Sequence, residues 1–281
     1  MQKTEQKIER RFHWINAAFI TLSPPAALVL GIWSVYHSGF QWVDLFIFLS
    51  MYWLTGSMGI SAGYHRYYAH RSFECNRVVQ FFILIFGACA LQNSLLEWAS
   101  EHRYHHRHTD TELDPYNIKR GFFWAHMGWV YFKYAEPSTF ANAKDLSKSG
   151  LVRWQHKYYI PIAFIVGYGL PALVGWFFGR PLEAMIWGGL IRTVAVHHAT
   201  FLINSAAHTF GKRPHSEETT ARDSWWLPFF SFGEGYHNYH HSYPSDYRNG
   251  VAWYHWDPNK WMIKTFSFFG WTWDLRKITA R

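Results

Sequence analysis

Apolar residues in this chain come in long blocks rather than in an alternating, strand-like pattern. Four blocks, residues 14–35, 42–60, 159–178 and 182–203, are long enough to cross a bilayer as helices, since about 20 residues at 1.5 Å each cover roughly 30 Å of hydrocarbon. The first contains Pro24-Pro25, which predicts a kink. The second carries Asp44 near its start, the third no charge, and the fourth Glu183 at its mouth with Arg192 inside. The links at residues 36–41 and 179–181 are short, so the pattern predicts two membrane hairpins. A fifth apolar run, residues 78–91, is short for a span. It is expected to lie in the interface as a helix leading Gln92, Asn93, Glu97 and Trp98 toward the polar middle region. Asp257-Pro258 reads as a helix cap followed by proline at the first helical position. That predicts a helix over 259–269, carrying Trp261, Met262, Phe266 and Phe269 and stopped by Gly270. With no further repeat and no domain boundary, residues 1–281 read as one all-α membrane domain.

Charge orients it. Residues 1–13 hold four Lys/Arg, residues 61–158 twelve and residues 204–281 nine, against none and one in the two short links. The positive-inside rule then makes both termini and the regions 61–158 and 204–281 cytoplasmic. The opening Met1-Gln2-Lys3-Thr4-Glu5-Gln6-Lys7 is polar and shows no secretory signal. The 17 tryptophans and the net charge of +8 suit a protein lying against anionic lipid or meeting acidic partners. The apolar runs argue against nucleic acid as the partner. Cys75 and Cys89 are the two cysteines and form no close pair, so iron–sulfur and cysteine–zinc chemistry is not expected.

The 18 histidines are not scattered evenly. Glu101-His102-Arg103-Tyr104-His105-His106 places three at i, i+3 and i+4, so three imidazoles on one helix face converge on one point. The spacing returns in His237-Asn238-Tyr239-His240-His241, and a looser pair, His65 and His70, precedes both. Two copies of His-x-x-His-His and a His-x-x-x-x-His in one chain point to metal ligation at these eight positions. Two spans precede His65 and two more precede His208, so every cluster emerges on one face. Imidazole suits iron, copper, zinc and nickel. Eight or nine histidines exceed what one ion takes, so a histidine-rich dimetal site in a cytoplasmic helical cap is expected. Glu-x-x-His occurs once, at Glu234 and His237, not in the two copies of the carboxylate-bridged bundle type, and a zinc hydrolase needs fewer histidines. A redox pair of metals beside a membrane suggests dioxygen chemistry on a lipid-like substrate. A histidine-rich hydroxylase or alkane oxygenase and a membrane metal transporter remain rivals. A transporter should place its ligands within the spans.

Gly63-Tyr64-His65-Arg66-Tyr67-Tyr68-Ala69-His70-Arg71-Ser72-Phe73, the two histidine clusters, Asp114-Pro115 with Arg120-Gly121-Phe122-Phe123, and Asn204-Ser205-Ala206-Ala207-His208 occur in this order. This set resembles the membrane-bound acyl-CoA (stearoyl-CoA-type, delta-9) fatty acid desaturases, from about residue 42 onward. The resemblance implies two iron ions held by nine histidines: His65, His70, His102, His105, His106, His208, His237, His240 and His241. It promotes His208, which spacing alone leaves ambiguous. Asn204 matches a residue that approaches one iron through water, and four residues from His208 it shares a helix face with it. The implied reaction is the dioxygen-dependent removal of two vicinal hydrogens from a long acyl chain, leaving a cis double bond. Asn93 and Trp98 match the tunnel mouth, and Lys119 and Arg120 match positions that meet the coenzyme A head. Ser100 departs from the pattern, standing where the animal enzymes carry an arginine. Acyl-CoA, acyl carrier protein and membrane lipid therefore stay open as carriers. The sequence shows neither a His-Pro-Gly-Gly haem motif nor a dinucleotide glycine fingerprint. Electrons are expected from a separate donor of the ferredoxin, cytochrome b5 or flavin reductase type, an acidic one suiting the basic face. His197 and His198 are expected to line the tunnel or to be hydrogen-bonded in packing, and His108, His126, His156 and His255 to be ordinary polar residues.

Overall fold

The computed structural model describes residues 10–134 and 140–278, so the polar opening at residues 1–7 lies outside the described residues. Among the described residues, four helices have the length and hydropathy to cross a membrane: α1 (Trp14–Ser38), α2 (Trp42–Ala69), then Tyr159–Trp176 and Pro181–His208. Between the second and third come α3 (Arg77–Ala88) and α4 (Leu95–His108). The two later spans are α5 (Tyr159–Trp176) and α6 (Pro181–His208), followed by α7 (Leu227–Ser231), α8 (His237–Ser242) and α9 (Pro258–Phe268). Two short antiparallel ribbons supplement the all-α expectation. β1 (Arg10–Phe12) pairs with β3 (Phe132–Tyr134), and β2 (Glu74–Cys75) with β4 (Thr272–Trp273).

The helix bounds correct the sequence reading where it matters most. The second and fourth spans do not stop at residues 60 and 203 but continue as helix to Ala69 and His208. His65 and His208 therefore sit in the last turn or so of these helices, not in loops beyond them. Helical backbone satisfies its own hydrogen bonds, so α2 can leave hydrocarbon without unwinding. Its polar end is covered instead by α3, α4 and the C-terminal cap, which leaves Tyr64, His65 and Arg66 buried. Much of that end is wound as a π-helix, a form seen often at functional sites. Pro24 and Pro25 lie within α1, which continues through them; such prolines are tolerated where neighbouring helices serve the freed backbone groups.

At the end remote from the histidines, the two hairpins are clasped. Arg180 donates to Asp44 at 2.7 Å and to the carbonyls of Ser38 and Gly39, while Ser38 donates to Glu183. α2 and α6 both start beside this clasp and run in the same direction, so both deliver their C-terminal ends to one face. Asn76 caps α3 by accepting from the Val79 amide. At 12 residues α3 spans only about 18 Å, too short to cross. It buries Val79, Ile83 and Leu84 and exposes Val78, Phe81 and Phe82. α3 lies so close to α2 that a Cβ on Gly59 would sit 2.5 Å from the Gly87 amide nitrogen. Asp257 caps α9 through the Lys260 amide at 3.0 Å, as the Asp-Pro pair predicts. Met262 and Phe266 of α9 pack on the core, while Trp261 and Phe269 stay exposed.

Candidate metal centre

α4 carries the first His-x-x-His-His cluster. A capping box starts it: Ser94 Oγ accepts from the Glu97 amide, and the Ser94 amide donates to Glu97 Oε2. Arg103, between the histidines, fixes α4 against the end of α2. It donates to the carbonyls of Tyr68 and Ala69 at 2.8 and 3.0 Å and pairs with Asp145 at 2.7 Å. Tyr68 and Ala69 immediately precede His70, so this contact sets one histidine pair against the other.

The histidines named from sequence come together in two groups. His65, His70, His102, His106 and His240 form one, and His105, His208, His237 and His241 the other, with the candidate ligand atoms of each group within 4.8 Å of one another. Neither cluster converges on one point, as its spacing alone suggested. The i and i+4 members, His102 with His106 and His237 with His241, stay together, while each i+3 member, His105 and His240, crosses to the opposite group. On a helix of 3.6 residues per turn the i+3 side chain lies about 100° around from i+4, enough to face a second ion. The groups adjoin: the His106 and His241 rings stack at 4.4 Å between centroids.

The donor set fits metal. His240 Nε2 lies 3.0 Å from both His65 Nε2 and His106 Nε2. His70 and His102 meet through Nε2 at 2.8 Å, and His241 and His237 at 3.1 Å. One N–H on His240 can satisfy only one of its two neighbours, whereas a cation between the rings satisfies all three. Ligands about 2.1 Å from an ion and at right angles to each other are roughly 3 Å apart, matching these contacts. His208 offers Nε2, which is buried with no hydrogen-bond partner among the described residues, while its Nδ1 meets Thr220 Oγ1 at 2.7 Å. Burial, and then the neighbouring imidazoles, pushes His102, His106, His237, His240 and His241 well below the usual histidine range. Neutral imidazole is the ligating form.

Two carboxylates outside the groups fix ring orientation, and neither was singled out for this from sequence. His65 Nδ1 donates to Glu234 at 2.9 Å, and His105 Nδ1 to Asp114 at 2.8 Å. Each bond leaves the lone pair on Nε2, facing the group. Burial raises the Glu234 pKa, but His65 and Arg66 override it and hold the carboxylate ionised. Glu234 lies in Gly233-Glu234-Gly235, three residues before His237, a signal no histidine count would find.

One cavity of about 1020 Å³ reaches both groups, its wall including His65 and His102 of the first and His105 and His237 of the second. Asn93, Trp98 and Asn204 line it, and so does His197, whose Nε2 meets the Ala90 carbonyl at 2.7 Å. Trp98 stacks on His102 at 5.0 Å and donates to Gln92, which donates to Thr200. Lys119 and Arg120 are exposed outside this cavity. Lys119 Nζ donates to the Asp110 carbonyl, and the Arg120 guanidinium lies 3.8 Å over the Trp124 ring. Ser100 lines the cavity and donates to Asn142 at 2.6 Å. His156, read as ordinary, is also on the wall, 2.7 Å from the capping Ser94. His126 meets His198 and Ser205 at 3.0 Å, away from both groups.

Residues 40–273 match the fatty acid desaturase family. The chain is 39% identical to acyl-CoA desaturase 1 of Saccharomyces cerevisiae over 84% of its own length and 47% of the relative's. It is 34% identical to the sn-1 stearoyl-lipid 9-desaturase of Anabaena variabilis over 92% of each chain. Against human stearoyl-CoA desaturase it is 33% identical over 92% of its length and 70% of the relative's. It spans about half the length of the yeast relatives it matches. The match takes in the last three spans and both histidine groups, and the chain belongs to the fatty acid desaturase family.

Proposed function

We propose that this chain is an oxygen-dependent fatty acyl desaturase that introduces a cis double bond, at the delta-9 position, into a long-chain acyl thioester, acyl-CoA. The nine histidines hold two iron ions, and electrons arrive from a separate donor of the ferredoxin, cytochrome b5 or flavin reductase type. The observation that carries this reading is a cavity of about 1020 Å³ whose wall includes histidines of both groups. Iron bound there supplies dioxygen activation, chemistry that no side chain of this protein provides. The protein's own part is positioning and exclusion of water. Glu234 and Asp114 hold protons on His65 Nδ1 and His105 Nδ1, keeping both Nε2 atoms as ligands. Trp98, stacked on His102 and tied to Gln92 and Thr200, fixes the wall where the chain must lie against the metal groups. Asn204 faces the same space and is suited to order water beside His208. The exposed Lys119 and Arg120 are available to phosphates of the carrier.

The histidine ends of α2 and α6, both termini and the cap are placed on the cytoplasmic side, a reading supported by the Lys/Arg distribution. The delta-9 position is supported by the Anabaena relative, named for that position, and the acyl-CoA carrier by the yeast and human relatives. The Anabaena relative is also named for an acyl-lipid, and the polar, uncharged Ser100 favours that carrier as the second reading.

Expression in a host that makes no unsaturated fatty acids tests the reaction. The expected product is a cis-9 monoene; hydroxylated chains, or unchanged lipids with altered metal content, would overturn the proposal. Purified protein given stearoyl-CoA or the same chain on a glycerolipid then separates the carriers.

A further inference from the structure

Residues 225–233 read Trp-Trp-Leu-Pro-Phe-Phe-Ser-Phe-Gly, without a charge, between Ser224 and Glu234. They connect the stretch after His208 to the one starting at His237 and lie in none of the four spans. α7, at their centre, buries Leu227, Pro228 and Ser231 and turns Phe229 and Phe230 outward at 53% and 56% exposure, with Trp225 at 82%. Such a sequence is out of place in a water-facing loop.

Its depth can be read from one bond. Tyr52 Oη donates to the Phe230 carbonyl at 2.6 Å, and the Tyr52 ring packs on Phe232 at 5.0 Å. Tyr52 belongs to the apolar half of α2, eight residues after Asp44 of the remote polar clasp. At 1.5 Å per residue that is roughly 12 Å into a hydrocarbon slab about 30 Å thick. A carbonyl bonded to Tyr52 is therefore within a side chain's length of the middle of the bilayer, not above its surface. The docking is built in. Gly56 leaves room for the Phe232 ring, which a Cβ there would meet at 2.5 Å. Phe232 takes the left-handed conformation (φ 54°) that ends α7 and turns the chain back. Outside, Phe229 stacks on Trp256, which packs edge-on against Trp261 of α9, extending the aromatic surface from α7 across the cap.

We infer that residues 225–232 form a re-entrant wedge immersed in the acyl chains of the leaflet that carries the cap, and that its partner is lipid hydrocarbon. The wedge enters and leaves on the histidine side of the membrane, seated against α2 and α6. Ser231 and Phe232 line the reaction cavity while Phe229 and Phe230 face outward, so one short segment separates the cavity from bilayer lipid. It also leads directly into Glu234 and His237, which ties its seating to the histidine groups. The inference rests on burial and depth and stands whether or not the chain desaturates.

Wild-type protein in nanodiscs containing a phospholipid with an acyl-chain diazirine is irradiated and mapped by peptide mass spectrometry. Adducts on Phe229 or Phe230 are expected; labelling of α1, α2 and α3 with none on residues 225–232 would overturn the wedge. A nitroxide on Phe230→Cys supplies the second measurement. The expected result is relaxation by oxygen rather than by a water-soluble nickel chelate, matching Phe46→Cys in α2 and opposite to Glu218→Cys in the exposed loop. A Phe230 label that behaves like the Glu218 label would equally overturn it.

Discussion

Asp114→Asn isolates what an outer carboxylate does for one metal group. Asp114 is buried at 1% exposure and engaged on both oxygens. Oδ1 accepts from His105 Nδ1 at 2.8 Å and from the Tyr116 amide at 3.2 Å, and Oδ2 from the Asp110 amide at 3.0 Å. Asparagine keeps the shape but must put an NH2 in one of these places. In the Oδ2 place it faces the Asp110 N–H, and a buried backbone donor is lost, at about 1–3 kcal/mol. In the Oδ1 place it faces the Tyr116 N–H and forces His105 to accept at Nδ1, which moves the proton to Nε2 and removes a ligand lone pair. Either outcome weakens the group of His105, His208, His237 and His241 and leaves the five-histidine group alone. Loss of such outer support weakens metal binding about 10–100-fold, or about 1.4–2.7 kcal/mol. Metal-free protein in nanodiscs, titrated with Co(II) against a competing chelator and followed by absorbance, should show one class of site weakened and one unchanged. Two unchanged affinities would refute the tautomer argument, and two equally weakened ones would refute the division into groups.

His208→Ala should lose product formation as fully as His240→Ala, with metal content falling in both, whereas Asn204→Ala should still load metal and be slowed less; His208→Ala with full metal and normal turnover would mean that its orphaned Nε2 serves packing alone. Metal-free protein should be acid-sensitive. His70, His102, His106, His237, His240 and His241 are held well below the ordinary range, chiefly by burial. Unfolding lets each take up a proton near about pH 6.5, so the stabilisation is present above that pH and is lost as pH falls toward the folded values, by up to about 1.4 kcal/mol per pH unit for each ring. Thermal unfolding at about pH 7.5 and about pH 5.5 checks this, and equal midpoints would contradict it.

The sequence by itself determined the spans, the short hairpin links and the caps, because these depend on local composition and on backbone groups within a few residues. Asp257-Pro258 starts α9 and the apolar blocks became α1, α2, α5 and α6 within a few residues, apart from the polar ends of α2 and α6. The same holds for the type of side chain in the two candidate metal groups, since His-x-x-His-His repeated in one chain has few other uses. What the sequence did not determine is which histidine serves which group. Spacing on one helix makes i, i+3 and i+4 look equivalent, and only the partner helix decides that His105 joins His208, His237 and His241 while His240 joins His65 and His70. Glu234 and Asp114 were illegible as supports for the same reason. A carboxylate becomes a histidine's partner through a contact across 169 residues in the case of His65 and Glu234, and no local pattern encodes that distance. The extension of α2 to Ala69 likewise depends on α3, α4 and the cap burying its polar end, which hydropathy reads as a stop. Local order follows from short-range chemistry, and the site from where four helices and a cap bring that chemistry together.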